Sequence, residues 1–144
     1  MGVFVEGWAL YAESLGAELG LYVDPIQYFG MLSMEMHRAI RLVVDTGIHS
    51  KGWSREKAIQ YSLENEAESE ATIIAEIERY MATPGQALSY KIGQLKIREL
   101  RSKAEIKLGD RFSITEFHNQ VLNTGSLPLI LLESKIENWI ETKI

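Results

Sequence analysis

The sequence predicts an all-α protein: one helical domain over residues 1–144, with about seven helices packed as a mostly antiparallel bundle. Three observations lead to this prediction. Apolar residues recur every three to four positions through most of the chain, which is the spacing of one face of a helix. The pairs Asp24-Pro25 and Thr83-Pro84 each place a capping side chain directly before a proline, as happens at helix starts. No segment alternates apolar and polar residues as a half-buried strand does.

The first predicted helix covers the segment VFVEGWALYAESLGAELG. One apolar stripe runs along it, formed by Phe4, Trp8, Tyr11, Ala12, Leu15 and Leu19. Glu6 lies on the opposite face, together with Gly2, Leu10, Glu13 and Ala17. The side chains on this second face are mostly small and of mixed polarity, and they are not rich in Lys and Glu as a solvated surface is. We therefore expect neighbours on both sides of the helix. Judged by these residues alone, Glu6 is a partly buried carboxylate in a helix pair.

The second predicted helix begins at Pro25 and ends near Val44, because Asp45-Thr46-Gly47 is typical of a helix stop. Its apolar residues are expected to point inward: Tyr28, Phe29, Leu32, Met36 and Ile40. Ser54 then caps a third helix over residues 55–65, and a fourth runs from about Glu68 to Met81.

A long helix is predicted from Thr83-Pro84 to about Leu108, and Gly93 inside it indicates either a kink or the close approach of another backbone. Ser113, with Glu116 three residues later, forms a capping box for a short helix that ends at Leu122. Pro128 opens a final amphipathic helix, whose apolar residues are Leu131, Leu132, Ile136, Trp139 and Ile140.

Composition excludes several classes of function. The net charge of −5 argues against nucleic-acid binding, which needs clustered Lys and Arg, and the locally basic stretch 91–103 has the spacing of a solvated helix face. The chain has no cysteine, so a disulfide, a thiolate nucleophile and a Cys-ligated zinc are all excluded. The longest aliphatic run, Leu129 to Leu132, is too short to span a membrane. Nothing in the sequence indicates the cellular compartment.

The three histidines do not make a complete metal site. His37, His49 and His118 include no pair at i, i+4 spacing and no H-E-x-x-H motif, so we do not expect a complete hydrolytic zinc site within the chain. A di-iron bundle needs a glutamate three residues before a histidine, whereas Glu35 and Glu116 each stand only two residues before theirs. His37 and His118 are interpreted as structural.

The chain contains four segments that are specific as a set: EGWALYAE, RAIRLVVDTGIHSKGWSREKAI, ERYMATPGQALSYKIGQLKIRELR and FHNQVLNTGSLPLILLESKIENWI. Together they resemble the bacterial domain-of-unknown-function family number 885, whose members look like zinc metallopeptidases. In that family a His-Glu segment ending in Pro-Gly-His-His precedes EGWALYAE and is thought to supply the histidine ligands and the general base. The resemblance implies that residues 1–144 are the C-terminal part of a larger enzyme, without its histidine half.

The resemblance also implies a role for Glu6. It would be the third metal ligand, beside histidines from the preceding segment. Zinc is therefore the expected cofactor of the full-length parent, and this chain alone is not expected to bind zinc tightly. Glu13 lies on the same face and is interpreted as the partner of an arginine.

Substrate-side candidates lie around a Pro-Gly-Gln turn, which places Arg79 and Tyr80 at the end of one predicted helix and Gln86 at the start of the next. Zinc peptidases often use a tyrosine hydroxyl to stabilise the oxyanion, and Tyr80 and Tyr90 are both available for this. Arg79 and Gln86 would hold a peptide carboxylate or backbone, and His49, predicted to lie in a loop, would bind substrate or stabilise the transition state. The alternative for each is structural, with core tyrosines whose hydroxyls are satisfied and a histidine that caps a helix end.

The predicted function is therefore the C-terminal portion of a zinc-dependent peptidase or amide hydrolase, inactive alone. The alternative is a non-catalytic helical module for packing or association. Expected partners are the missing N-terminal part of the parent or a second copy of the chain, with a peptide-like substrate in the parent. One face of the first helix is expected to be left uncovered or covered by a second copy; it carries Gly2, Glu6, Ala9, Glu13 and Ala17.

Overall fold

The computed structural model describes residues 2–144 and confirms the predicted all-α fold. The described chain forms seven α-helices and one 3₁₀ turn and contains no strand. In order, the helices are α1 (Gly2–Glu18), α2 (Pro25–Lys51), α3 (Arg55–Asn65), α4 (Glu70–Ala82), α5 (Ser89–Leu108), α6 (Ile114–Leu122) and α7 (Leu129–Lys143), and the 3₁₀ turn Gly109–Arg111 follows α5. Within residues 2–144, no helix combines the length and hydropathy needed to cross a membrane.

Side-chain caps set several helix starts. Asp24 accepts a hydrogen bond from the backbone N–H of Ile26 at 2.8 Å, ahead of Pro25 at the first position of α2. Ser54 and Ser113 cap α3 and α6 in the same way, as their sequence context predicts. The fourth helix begins at Glu70 rather than Glu68, because Ser69 is its cap.

The end of α2 differs from the prediction, since the helix continues through Gly47 to Lys51 and stops at Gly52, whose φ is 65°. Gly47 serves close packing instead of termination: a Cβ there would lie 2.5 Å from the indole ring of Trp53. His49 consequently lies in the last turn of α2 and not in a loop, which corrects its predicted placement.

The start of α5 also differs, because residues 83–88 form turns and the helix begins at Ser89. The backbone N–H of Gly85 bonds both carboxylate oxygens of buried Asp45, at 3.2 and 3.1 Å. Asp45 belongs to α2, so the residues around Pro84 form a turn that is held by a tertiary hydrogen bond. They do not form the start of a helix.

Helices that follow one another, such as α2/α3, α3/α4 and α6/α7, run antiparallel as expected. Three pairs that do not follow one another in the chain run parallel instead, among them α2/α4, in which Arg41 bonds Glu76 and His49 bonds Tyr80. In the α1/α5 pair, Gly7 lies against Gly93 near the start of both helices, and Glu18 bonds Arg101 near the end. In the α5/α7 pair, the ion pairs Lys96–Glu133 and Lys103–Glu137 show the same direction. Antiparallel packing therefore holds for neighbours in the chain and not for the whole bundle.

The buried apolar residues form two clusters. The first joins α1, α5, α6 and α7, and its members include Phe4, Tyr11, Ile97, Leu100, Phe117, Leu132, Ile136 and Trp139. The second joins α2, α3 and α4 with the turn before α5, and is formed by Ile40, Val44, Ala58, Ile59, Ile73, Ile77, Tyr80 and Ala87.

The closest helix contact is between α1 and α5. A Cβ on Gly93 would lie 2.1 Å from the carbonyl oxygen of Val3 and 2.6 Å from the Cα of Gly7. The buried amide of Gln94 adds a hydrogen bond to the carbonyl oxygen of Leu10, at 3.3 Å. Of the two interpretations of Gly93, the close approach of another backbone is confirmed.

The first half of α2 does not bury its apolar residues. Phe29 is 64% exposed and Met36 53%, and Tyr28 and Leu32 are exposed as well, so the prediction that they point inward is wrong. Of the five residues expected inward, only Ile40 is buried. The physical reason is position, because every buried residue of α2 falls at His37 or later, where the helix reaches the second cluster. Leu131 of α7 and Leu19 after α1 are likewise exposed.

We predict that Gly93→Ala destabilises the fold by about 2–3 kcal/mol, because the added methyl group would meet backbone that cannot move independently. Urea unfolding at neutral pH would measure the change. Gly30→Ala is the matched control: no atom lies within 4 Å of its added Cβ, and it should stabilise α2 by about 0.5–1 kcal/mol. Equal stability of the two variants would contradict the α1–α5 contact.

Candidate functional site

Charged and aromatic side chains meet where α2, α4 and the start of α5 come together. We call this group the arginine–tyrosine cluster and define it as Arg38 and Arg41 of α2, Glu76, Arg79 and Tyr80 of α4, Gln86 of the turn and Tyr90 of α5. Four of these residues were predicted to face substrate, namely Arg79, Tyr80, Gln86 and Tyr90. The structure brings them together in space.

Glu76 connects the members of the cluster. Its Oε2 atom accepts hydrogen bonds from Arg41 at 2.7 Å, from Arg79 at 2.8 Å and from the Tyr80 hydroxyl at 2.8 Å. Its Oε1 atom accepts from Nε of Arg79 at 3.0 Å, which makes that pair bidentate. These bonds, with that from Arg79 the strongest, hold the pKa of the Glu76 carboxyl at about 2 although partial burial opposes the shift.

Arg79 and Gln86 also contact each other directly. Nη1 of Arg79 donates to Oε1 of Gln86 at 2.9 Å, linking the last turns of α4 to the segment before α5. Both side chains are half-buried, so part of each remains open to solvent. The arginine therefore has two partners within the chain and retains an accessible edge.

The two tyrosines occupy different environments. Tyr80 is only 2% exposed, its hydroxyl is committed to Glu76, and burial raises the pKa of that hydroxyl well above its usual range. Tyr90 is half-buried, and its hydroxyl forms no hydrogen bond with the residues that the structure describes. The guanidinium carbons of Arg38 and Arg41 lie 4.9 and 5.0 Å from the centre of its ring. Of the two hydroxyl groups, that of Tyr90 is the one free to donate to another molecule.

Arg41 is the buried cation of the cluster. Its Nη2 atom bonds Glu76 and lies 3.0 Å from Nε2 of His37, whose other ring nitrogen pairs with the buried carboxylate of Glu66. Its Nε and Nη1 atoms are buried without a hydrogen-bond acceptor among the described residues. An unsatisfied buried donor costs roughly 1–3 kcal/mol, and stacking between the rings of Tyr80 and Tyr90 offsets part of that cost.

Arg38 adds a second cation on α2, and no described residue forms an ion pair with it. Burial and the nearby charge of Arg41 lower the pKa of the Arg38 guanidinium, while the more distant Glu13 carboxylate acts in the opposite direction. Glu13 itself forms no ion pair with a described residue, so its pairing with an arginine stays a prediction. The Tyr90 side of the cluster carries more positive charge than its neighbouring carboxylates neutralise through direct contact.

Three members of the cluster, Arg38, Arg41 and Glu76, are not among the functional residues predicted from the sequence. A usable signal was present, because residues four apart share one face of a helix. His37 and Arg41 have this spacing, as do Glu76 and Tyr80, and both pairs occur in helices that are otherwise rich in apolar residues. The pairing of α2 with α4 could not be read from that spacing.

Glu6 lies outside this hydrogen-bonded cluster. Its side chain is half-buried on α1 and forms no hydrogen bond or ion pair with the described residues. The face around it is open, as expected: Gly2, Ala9, Glu13 and Ala17 are exposed. Leu10, which was placed on that face, is instead buried in the contact with α5. Within residues 2–144, no three His, Cys, Asp or Glu side chains are grouped so that they could hold a metal ion.

His49 is exposed at the end of α2, and its Nε2 atom bonds the backbone carbonyl oxygen of Tyr80 at 3.0 Å. That carbonyl also accepts the backbone N–H of Thr83 at 3.1 Å, so His49 adds a second hydrogen bond at the end of α4. The contact corresponds to the structural alternative for His49, and its role at a substrate stays a prediction.

A second polar network lies between α1, α5 and α6. The Tyr11 hydroxyl is 2.9 Å from Nε2 of His118 and accepts a hydrogen bond from Arg101 at 3.3 Å. Arg101 also pairs with both carboxylate oxygens of Glu18, each at 2.7 Å. Burial lowers the pKa of His118. Because these groups satisfy one another, the network fits the interpretation of His118 as structural.

Comparison with known proteins places the chain in a family. Residues 1–136 match a family model described as "Bacterial protein of unknown function (DUF885)", and the chain belongs to this family. A crystal structure of a "putative lipoprotein" from Colwellia psychrerythraea is similar, with 50% sequence identity and a TM-score of 0.97. The match covers 99% of this chain and 24% of the Colwellia chain, so residues 1–144 span about a quarter of that protein's length. Among curated proteins, none matches the chain.

We predict that Glu76→Gln lowers the free energy of unfolding at neutral pH. The variant should also lose less of that free energy than the wild type when the pH falls below 4.5. The Glu76 carboxyl has a folded pKa of about 2 against an ordinary value of 4.5, so its contribution is complete above pH 4.5 and is lost as the pH falls toward 2. Since the side chain is a quarter exposed and solvent screens part of the interaction, the loss should be roughly 2 kcal/mol at pH 7, measured by urea unfolding from pH 7 to pH 2.

Glu78→Gln is the matched control on the same helix, because Glu78 pairs only with Arg55 and its side chain is 54% exposed. Its effect should stay below about 1 kcal/mol. Parallel pH curves for the wild type and Glu76→Gln would show that the carboxylate does not hold the cluster together.

Proposed function

We propose that this chain forms one wall of the active site of a larger zinc-dependent peptidase or amide hydrolase. The observation that supports it best is the convergence of Arg79, Gln86, Tyr80 and Tyr90 in one cluster beside an incompletely neutralised pair of arginines. The sequence segments that suggested a metallopeptidase-like protein contain all of these residues. A set of solely structural residues would have no need for a free phenol beside an arginine, Arg38, that has no ion-pair partner among the described residues.

Glu6 is the proposed metal ligand of this chain. A half-buried carboxylate without a partner, on an open helix face with small neighbours, fits a ligand that is completed by groups from elsewhere. The described residues supply no further ligand set, so the histidines and the general base would come from another part of a longer chain. When bound, zinc would polarise the amide carbonyl and increase the acidity of a bound water.

The substrate side is assigned to Tyr90 and Arg79. The Tyr90 hydroxyl is the proposed donor to the developing oxyanion, and the guanidinium groups on its ring favour negative charge in that region. The accessible edge of Arg79, held by Glu76 and Gln86, would bind a carboxylate or carbonyl of a peptide. Tyr80 would act indirectly by orienting Glu76, and His49 by supporting the end of α4.

The alternative is a non-catalytic module for helix packing. It is favoured by one observation, the exposed apolar first half of α2, which is typical of a surface that contacts another polypeptide. The two proposals differ in what they require of the arginine–tyrosine cluster: a reactive site needs the Tyr90 hydroxyl, and a packing module does not.

For the isolated chain we expect no hydrolysis of peptide libraries, with or without added zinc. One carboxylate without paired histidines cannot hold a three-ligand site with an open position. Calorimetry should accordingly detect only weak zinc binding. A tight one-to-one zinc complex that disappears in Glu6→Gln would overturn the proposal that the other ligands come from outside this chain.

Within a longer, active protein that contains this chain, Tyr90→Phe should reduce turnover by about 10²–10³-fold with little change in stability. Tyr80→Phe should instead destabilise by roughly 1.5–3 kcal/mol, because the buried carboxylate of Glu76 loses a donor. Glu6→Gln should weaken metal retention, measured by metal analysis after dialysis. Full turnover in Tyr90→Phe would favour the packing module.

A further inference from the structure

An apolar surface runs over the α1–α2 connection and the first half of α2. Its most exposed members are Leu19, Leu21, Val23, Ile26, Phe29 and Met36, each at least half exposed. We call it the α2 apolar surface. Across residues 19–34 the only charged side chain is that of Asp24. A helix that is apolar on all sides is normally buried, so this surface has the composition of an interface.

A shallow groove continues the surface toward the second core cluster. It is lined by Leu32, Met36 and Ala39 of α2 together with Lys91 of α5, and then by Val43 and by Tyr61 of α3. Glu35 also lines the groove, and its ion pair with Lys91, at 2.7 Å, is the charged contact in this part of it. Flexible methionine side chains beside rigid aromatic ones are well suited to accept apolar side chains from another helix.

The comparison with the Colwellia protein bears on what covers this surface. That protein keeps the same fold, at a TM-score of 0.97, while the matched region is only 24% of its chain. About three quarters of its polypeptide therefore lies outside the shared region and is available to pack against it. An unpaired surface of this composition costs free energy in water, which contact with apolar residues of the same chain would remove.

We propose that the α2 apolar surface is an interface for the additional polypeptide of longer family members, and that apolar helical side chains from that polypeptide cover it. An anionic membrane is a poorer partner, because residues 19–34 contain no lysine or arginine and the chain carries a net charge of −5. The proposal does not depend on the hydrolytic function, since a packing module would use the same surface.

The first test compares hydrogen exchange in the isolated 144-residue chain and in the longer Colwellia protein. In the isolated 144-residue chain, amides of residues 19–36 should exchange quickly, because few tertiary contacts hold this segment. In the intact Colwellia protein, the matched segment should exchange at least tenfold more slowly relative to the matched part of α5. Equal relative protection in the two proteins would overturn the proposal.

The second test uses charged variants of the isolated chain to measure whether the α2 apolar surface is exposed to solvent. Ile26→Lys/Phe29→Lys changes two exposed residues of the surface, and Ile106→Lys/Ile130→Lys is the control, with side chains 82% and 71% exposed elsewhere. Both double variants should unfold within a few degrees of the wild type, because exposed substitutions change stability little. The surface variant alone should lose fluorescence of a bound hydrophobic dye.

Light scattering and vesicle binding distinguish the remaining partners. A weak association of the isolated chain at high concentration agrees with an uncovered interface. A stable dimer that the surface variant abolishes would instead assign the surface to a second copy and overturn the proposal. Binding to neutral phosphatidylcholine vesicles that is lost only in the surface variant would assign it to a lipid surface, with the same consequence.

Discussion

Backbone contact between Gly7 and Gly93 determines how closely α1 and α5 approach, and much of the structure depends on this distance. Side chains normally separate packed helices, but here the Cα atom of each glycine occupies the place where the other would carry a Cβ. The contact brings Phe4 and Tyr11 into the first core cluster and lets Gln94 reach the carbonyl oxygen of Leu10. It also fixes Glu6, the neighbour of Gly7, relative to α5, which carries Tyr90 one turn before Gly93.

A second constraint is electrostatic and belongs to α2 and α4. Glu76 of α4 receives a hydrogen bond from Arg41 of α2, which ties the two helices together, and two more from Arg79 and Tyr80 of its own helix. Removing one member of such a buried group leaves the others desolvated without compensation, which makes the network costly to alter. The same arrangement leaves Arg38, and the Nε and Nη1 atoms of Arg41, without direct anionic partners among the described residues.

The helix α2 connects the two proposals for this protein. Its second half contributes His37, Arg41 and Asp45 to buried polar contacts, whereas its first half presents apolar side chains to solvent. In the proposed enzyme, the first half would pack against the polypeptide that carries the remaining metal ligands, and the second half would shape the substrate side. In the proposed module, only the first half would matter. The two functions therefore place different demands on a single helix.

Much of the fold could be predicted from the sequence by itself, because helix periodicity and capping depend on residues close together in the chain. The all-α class, the caps at Asp24, Ser54 and Ser113, and the group of Arg79, Tyr80, Gln86 and Tyr90 follow from such local patterns. Only the tertiary structure decided the rest: Gly47 lies within α2 because Trp53 packs on it, the turn at Gly85 forms because Asp45 holds it, and Tyr90 rather than Tyr80 has the free hydroxyl. Each of these outcomes depends on residues far apart in the chain, and periodicity carries no information about which helices become neighbours.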